Sequence, residues 1–99
     1  MYDTMRTFHL DRKLIKILAS NTKFNILKLL NSKEQGVKHL ARQLNLSQPT
    51  IIGHIKKLRE ANLVIRKQKE GSVFVTYIVT NFVHQLFNTK ELPITISLE

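Results

Sequence analysis

The stretch from Leu44 to Val64, LNLSQPTIIGHIKKLREANLV, constrains the fold of this chain more than any other. Ser47 stands where its hydroxyl can accept a free N–H from the first turn of a helix. Pro49 breaks a helix interior, but it is tolerated in that first turn, where its missing N–H has no partner to lose. Ile51, Ile55 and Leu58 follow at helical spacing and make a buried stripe. Asn62 supplies a left-handed residue to end the helix. Upstream, Val37, Leu40, Ala41 and Leu44 keep the same period in a shorter helix. Only Asn45-Leu46-Ser47 lies between the two, which leaves room for a tight turn. A helix, a short turn and a second helix with a polar, capped start form a helix-turn-helix, a unit that lays its second helix in the major groove of DNA.

The rest of the chain fits around that unit. Met5 to Ala19 carries Phe8, Leu10, Leu14, Ile15, Ile17 and Leu18, which predicts a first helix with a broad apolar surface. Ser20 caps a second helix with Phe24, Ile26, Leu27, Leu29 and Leu30 apolar. Asn31 to Gly36 reads as a loop. After the helix-turn-helix, Leu63 to Lys69 and Ser72 to Val79 are rich in β-branched and aromatic residues around a Glu70-Gly71 tip, which predicts a hairpin. A last helix is expected from about Asn81 to Lys90, with Pro93 beyond it. The expected order is α-α-α-α-β-β-α: mainly α with a small β-hairpin, a winged helix-turn-helix. Residues 1–99 read as a single winged helix-turn-helix DNA-binding domain, a length that supports one modest core.

Charge narrows the partner. Sixteen Lys and Arg against seven Asp and Glu give a net charge of +9, which suits a polyanion. Its placement matters more than its size. With Ile51, Ile55 and Leu58 facing the core, Pro49, Gly53, Lys56 and Lys57 point away from it, and Thr50 and Ile52 lie on the flanks. Gly53 allows a close backbone approach. Ser47 and the other first-turn groups attract a phosphate. Gln48 and Thr50 can bond bases or phosphates, while Lys56 and Lys57 suit phosphates. His54 is positioned to gain a proton near phosphates, which strengthens binding at low pH. On the hairpin, Arg66, Lys67 and Lys69 can enter a minor groove or hold a phosphate; the same lysines also guard a sheet edge against aggregation.

Several classes of chemistry find no footing. The absence of cysteine removes disulfides, thiolate metal sites and a cysteine nucleophile. Three scattered glycines make no phosphate loop. No enzyme activity and no cofactor are expected. No apolar run approaches the ~20 residues of a membrane span. The start of the chain lacks a signal-peptide core, and a cytoplasmic location is expected. Leu98-Glu99 reads as a cloning remnant, so the last residues carry little weight.

The stretches LASNTKFNILKLL, VKHLARQLNLSQPTIIGHIKKLREANLV and KEGSVFVTYIV, between Leu18 and Val79, resemble an ArsR-type winged-helix transcriptional regulator. The resemblance implies a homodimer built from the first and last helices, a recognition helix over Ser47 to Lys57, a wing over Arg66 to Gly71, and repression by occupying a palindromic promoter site. Two departures qualify it. Many relatives carry Ser and then Arg or Gln where this chain has Ile52 and Gly53, so their usual side-chain reading of bases does not carry over; Gln48 and Thr50 remain for it, and Ile52 either contacts a thymine methyl or simply packs. The metal-binding cysteine motif is replaced by Val37-Lys38-His39-Leu40-Ala41, so metal sensing does not carry over. Only His84 stands on the last helix, with Glu91 beyond; paired with His9 it falls short of the three or four ligands zinc needs. Two other functions stay open: a winged helix that docks a protein in a transcription or replication complex, and a non-specific DNA-packing protein.

Overall fold

The computed structural model describes residues 6–10, 12–88 and 94–98. In chain order the elements are β1 (Arg6–Leu10), α1 (Arg12–Ala19), α2 (Asn21–Ser32), α3 (Val37–Leu44), α4 (Gln48–Glu60), β2 (Val64–Gln68), β3 (Val75–Val79), α5 (Asn81–Asn88) and β4 (Ile94–Leu98). From α1 to α5 this is the expected winged helix-turn-helix.

The first helix is shorter than expected. It starts at Arg12, and Arg6–Leu10 forms β1, paired in parallel with β4 so that Phe8 stands opposite Ile96. Met5 lies outside the described residues. The physical reason is a partner at the other end of the chain: Ile94, Thr95 and Ile96 offer a β-branched strand, and helical periodicity within residues 5–19 carries no trace of it. The last helix ends at Asn88, and Thr89 to Pro93 fall outside the described residues.

The core is built where the periodicity placed it. Ile26, Leu27 and Leu30 of α2, Leu40 of α3, Ile51 and Leu58 of α4 and Val83 of α5 are fully buried. Each contributes about 1.5–3 kcal/mol by leaving water. Leu63, Val64 and Val79 close the core at the root of the hairpin. An edge-to-face contact between Phe24 and Phe87, with centroids 5.4 Å apart, joins α2 to α5.

Both helices of the helix-turn-helix end in the same way. Asn45 (φ 56°) and Asn62 (φ 61°) adopt the left-handed conformation. Beyond them, the Leu46 amide donates to the Ala41 carbonyl and the Leu63 amide to the Leu58 carbonyl. These bonds satisfy carbonyls that the helix ends leave open.

The hairpin pairs Val64 with Val79 through Gln68 with Val75. The ladder is shorter than the predicted strands. Ser72 and its neighbours form local bonds instead: the Ser72 hydroxyl accepts from the Phe74 amide, and Gln68 Nε2 donates to the Ser72 carbonyl. Gly71 takes φ 80° at the tip.

The loop before α3 locks the hairpin to the helices. Gln35 exchanges two backbone bonds with Tyr77, of 3.2 and 2.9 Å. Its buried side chain donates to the Leu29 and Lys33 carbonyls and accepts from Gln43 Nε2. A Cβ on Gly36 would sit 3.0 Å from the Val75 carbonyl oxygen, a tight contact with backbone that β3 would have to relieve by shifting a few tenths of an ångström.

Candidate nucleic-acid interface

Helix α4 presents two contrasting faces. Ile51, Ile55 and Leu58 are buried. Ser47, Gln48, Pro49, Thr50, Ile52, Gly53, Lys56 and Lys57 are exposed, and His54 is half-buried. The core stripe fixes the rotation of the helix, so the remaining positions are held outward together. No acidic residue stands in its first turn.

Ser47 caps the helix by accepting from the Thr50 amide at 3.2 Å. The Ser47 and Thr50 hydroxyls also lie 2.7 Å apart. A pair of hydroxyls sharing one hydrogen bond retains one further O–H to donate, and it sits beside the Gln48 amide, the one first-turn N–H left over, since Pro49 has none and Thr50 is bonded to Ser47. The start of α4 therefore keeps one hydroxyl and one amide donor at its positive dipole end, with no acidic side chain in the first turn to oppose an anion. A Cβ on Gly53 would meet nothing within 4 Å. Packing inside the chain does not require glycine there, although glycine costs about 1 kcal/mol against alanine in a helix interior.

His54 is held below its ordinary value of 6.5, first by partial burial, then by the positive charges of Lys23 and Lys57. Lys23 lies in the first turn of α2, so this interaction brings the start of α2 beside α4.

The hairpin places Arg66, Lys67 and Lys69 at exposed positions. Two of them are already engaged. Arg66 Nη2 donates to Gln68 Oε1 at 3.1 Å. Lys67 Nζ lies 3.7 Å from Glu34 Oε1, and Glu34 also accepts from the Thr76 hydroxyl. No sequence pattern marks Glu34 for this role, since it stands in a loop far along the chain from the hairpin. Nor does any pattern distinguish Val73 and Phe74 at the tip, which are 85% and 78% exposed.

The described residues hold no group of three or more His, Asp or Glu side chains placed to bind a metal. His84 Nδ1 lies 3.2 Å from Asn31 Oδ1, and the side chain of His9 is outside the described part. The cysteine-based donor set of metal-sensing relatives has no counterpart here. No helix among the described residues is long and apolar enough to cross a membrane.

The profile of the bacterial regulatory protein, arsR family, matches residues 20–66, the span from the α2 cap through the recognition helix into the wing. An uncharacterized HTH-type transcriptional regulator of Methanocaldococcus jannaschii is 30% identical over 91 residues, covering 79% of this chain and 93% of its own length. The chain belongs to the ArsR/HTH superfamily of winged-helix transcriptional regulators. Among solved structures, HlyU from Vibrio cholerae superposes on this winged-helix fold with a TM-score of 0.65 at 28% identity, covering 75% of this chain and 79% of that one. NolR from Sinorhizobium fredii gives 0.65 at 26%, covering 76% and 74%. Membership makes the protein a DNA-binding regulator with a regulatory rather than a catalytic fold.

Proposed function

We propose that the protein is a cytoplasmic, sequence-specific regulator of transcription that binds double-stranded DNA as a homodimer at a palindromic promoter site, and that it represses by occupying that site. The observation that carries this reading is the outward face of α4, with a capped polar start, an open approach at Gly53, and Lys56 and Lys57 beyond it. In this reading Gln48, Thr50 and Ile52 read bases, while Ser47, Pro49 and Gly53 let the backbone approach. His54, Lys56 and Lys57 face phosphates, and Arg66, Lys67 and Lys69 hold the flanking strand. Half-buried Ile15 on α1 and Leu86 on α5 support a dimer through the first and last helices. A twofold dimer calls for half-sites about one helical turn (~34 Å) apart.

The test is a footprint on the DNA upstream of the protein's own gene, at physiological salt, against excess random duplex. A protected palindrome that survives competition is the expected result. Protection that vanishes into the competitor would point to DNA packing.

A second reading rests on a specific observation. The exposed Val73 and Phe74, with Ile65 at 47%, put apolar surface on the hairpin that carries Arg66, Lys67 and Lys69, and Ile52, at 54%, stands on the helix that carries Lys56 and Lys57. Such surface suits docking of a protein partner. Failure to bind any duplex at any salt would favour this second reading.

A further inference from the structure

Lys13 and Lys16 of α1, Lys23 of α2 and Lys57 of α4 line one open cleft of 330 Å³, floored by Ile17 and bordered by Glu60. Four lysines and a single glutamate stand among the described residues that line it. None of the four lysines is in an ion pair among the described residues. Ile17 is only 7% exposed, so the floor is apolar. A cleft lined by one sign of charge over a low-dielectric wall focuses its field outward and concentrates counter-ions. Lysine is a compact point charge that suits phosphate, and nothing that lines the cleft is aromatic or otherwise shaped to select a base. Lys57 belongs to both this cleft and the exposed face of α4, so the two surfaces are continuous. Lys23 and Lys57 both also act on His54, so both charges lie near that ring.

We infer that the cationic surface runs past the recognition helix into the cleft between α1, α2 and α4, where Lys13, Lys16 and Lys23 join Lys57 in holding a backbone phosphate of DNA flanking the groove that α4 enters. The inference rests on the DNA-binding reading. It adds a contact made by the helices ahead of the helix-turn-helix, and it makes the footprint wider than recognition helix and wing alone would give.

The test is the salt dependence of duplex binding by fluorescence anisotropy, between about 50 and about 200 mM salt, for the wild type and the Lys13→Gln/Lys16→Gln/Lys23→Gln variant. Lys57 is left in place because it already belongs to the α4 surface. The expected result is a slope of log K against log salt flatter by about 0.9 for each phosphate that the variant no longer neutralises. The loss of affinity should be equal on specific and random duplex, with footprint protection retreating at the flanks. Lys23 is half-buried, so the Lys13→Gln/Lys16→Gln variant, altered only at exposed positions, serves as the second measurement if the triple variant melts early. Wild-type binding with an unchanged slope in both variants would overturn the inference and leave the DNA reading intact. A lysine-dependent rise in Tm with inorganic pyrophosphate, alongside an unchanged slope, would overturn it in favour of a small-anion site. A wild type that binds no duplex would remove the DNA reading and the inference together.

Discussion

Helix α4 and the hairpin both carry lysines to the surface, but they hold them under different conditions. On α4 the buried stripe of Ile51, Ile55 and Leu58 fixes the rotation of the helix, and Lys56 and Lys57 form no ion pair among the described residues. On the hairpin only the root is buried, at Val64 and Val79, while Lys67 is drawn to Glu34 and Arg66 to Gln68. An exposed pair such as Lys67–Glu34 contributes about 0–1 kcal/mol, so DNA can displace it, but the cation does not start out free. Equal charge on two elements is therefore not equal readiness to meet a phosphate. Helix α4 is positioned by the core, and Lys56 and Lys57 on its outward face are unpaired among the described residues. The wing is positioned at its root, held sideways by Gln35 through Tyr77, and partly self-satisfied at its charges.

Stability gives the largest expected contrast. Leu58→Ala, at a fully buried site, should destabilise the fold by about 2–5 kcal/mol through reduced burial and a residual cavity. Phe74→Ala, at a site 78% exposed, should change stability by no more than about 0.5 kcal/mol. Urea unfolding of both variants checks this. A Phe74→Ala cost that approached the Leu58→Ala cost, and that grew with protein concentration, would mean that the wing tip is packed against a second copy in solution.

The same contrast explains what could be read from the sequence. On α4, capping, helical period and a left-handed asparagine are local signals, and Ser47, Ile51, Ile55, Leu58 and Asn62 carry them within one short stretch. The hairpin was legible as a hairpin, but its ladder is shorter than its β-rich composition suggests because Ser72 and Gln68 make local side-chain bonds. Interactions between distant segments have no local signature. Glu34 on Lys67, Gln35 on Tyr77, Lys23 beside His54 and β4 beside β1 each join residues that no period connects. The candidate site was thus readable where one helix defines it, and unreadable where α1, α2 or the α2–α3 loop contributes to it.

Gly53→Ala sharpens the comparison on the α4 side. The added methyl meets nothing within 4 Å, and the helix gains propensity, so the free protein should become more stable by about 1 kcal/mol. If α4 meets DNA closely there, duplex affinity should fall in the same variant. Thermal unfolding and anisotropy together read the two signs. A variant that is more stable and binds as well as the wild type would take Gly53 out of the interface.

The smallest expected effect is the pH dependence at His54, and it runs in opposite directions for folding and for binding. In the free fold the ring titrates below 6.5. Above 6.5 it is neutral in both folded and unfolded chains and contributes nothing to the balance. As pH falls through the window between 6.5 and the lower folded-state value, the unfolded chain takes the proton first. The fold loses stability there, and the loss is complete once the folded ring is charged too. On DNA, nearby phosphates favour the charged ring and raise its pKa against the pull of burial, Lys23 and Lys57. Binding then takes up a proton, so affinity should rise as pH falls through the window between the free and bound values. The measurement is anisotropy from about pH 6 to 8 for the wild type and His54→Gln, with melts at the same pH values. The wild type should bind more tightly toward pH 6 while melting slightly earlier, and His54→Gln should flatten both trends. A pH-independent affinity in both proteins would remove His54 from the phosphate-facing groups of α4, while its partial burial against Lys23 would still account for the melting trend.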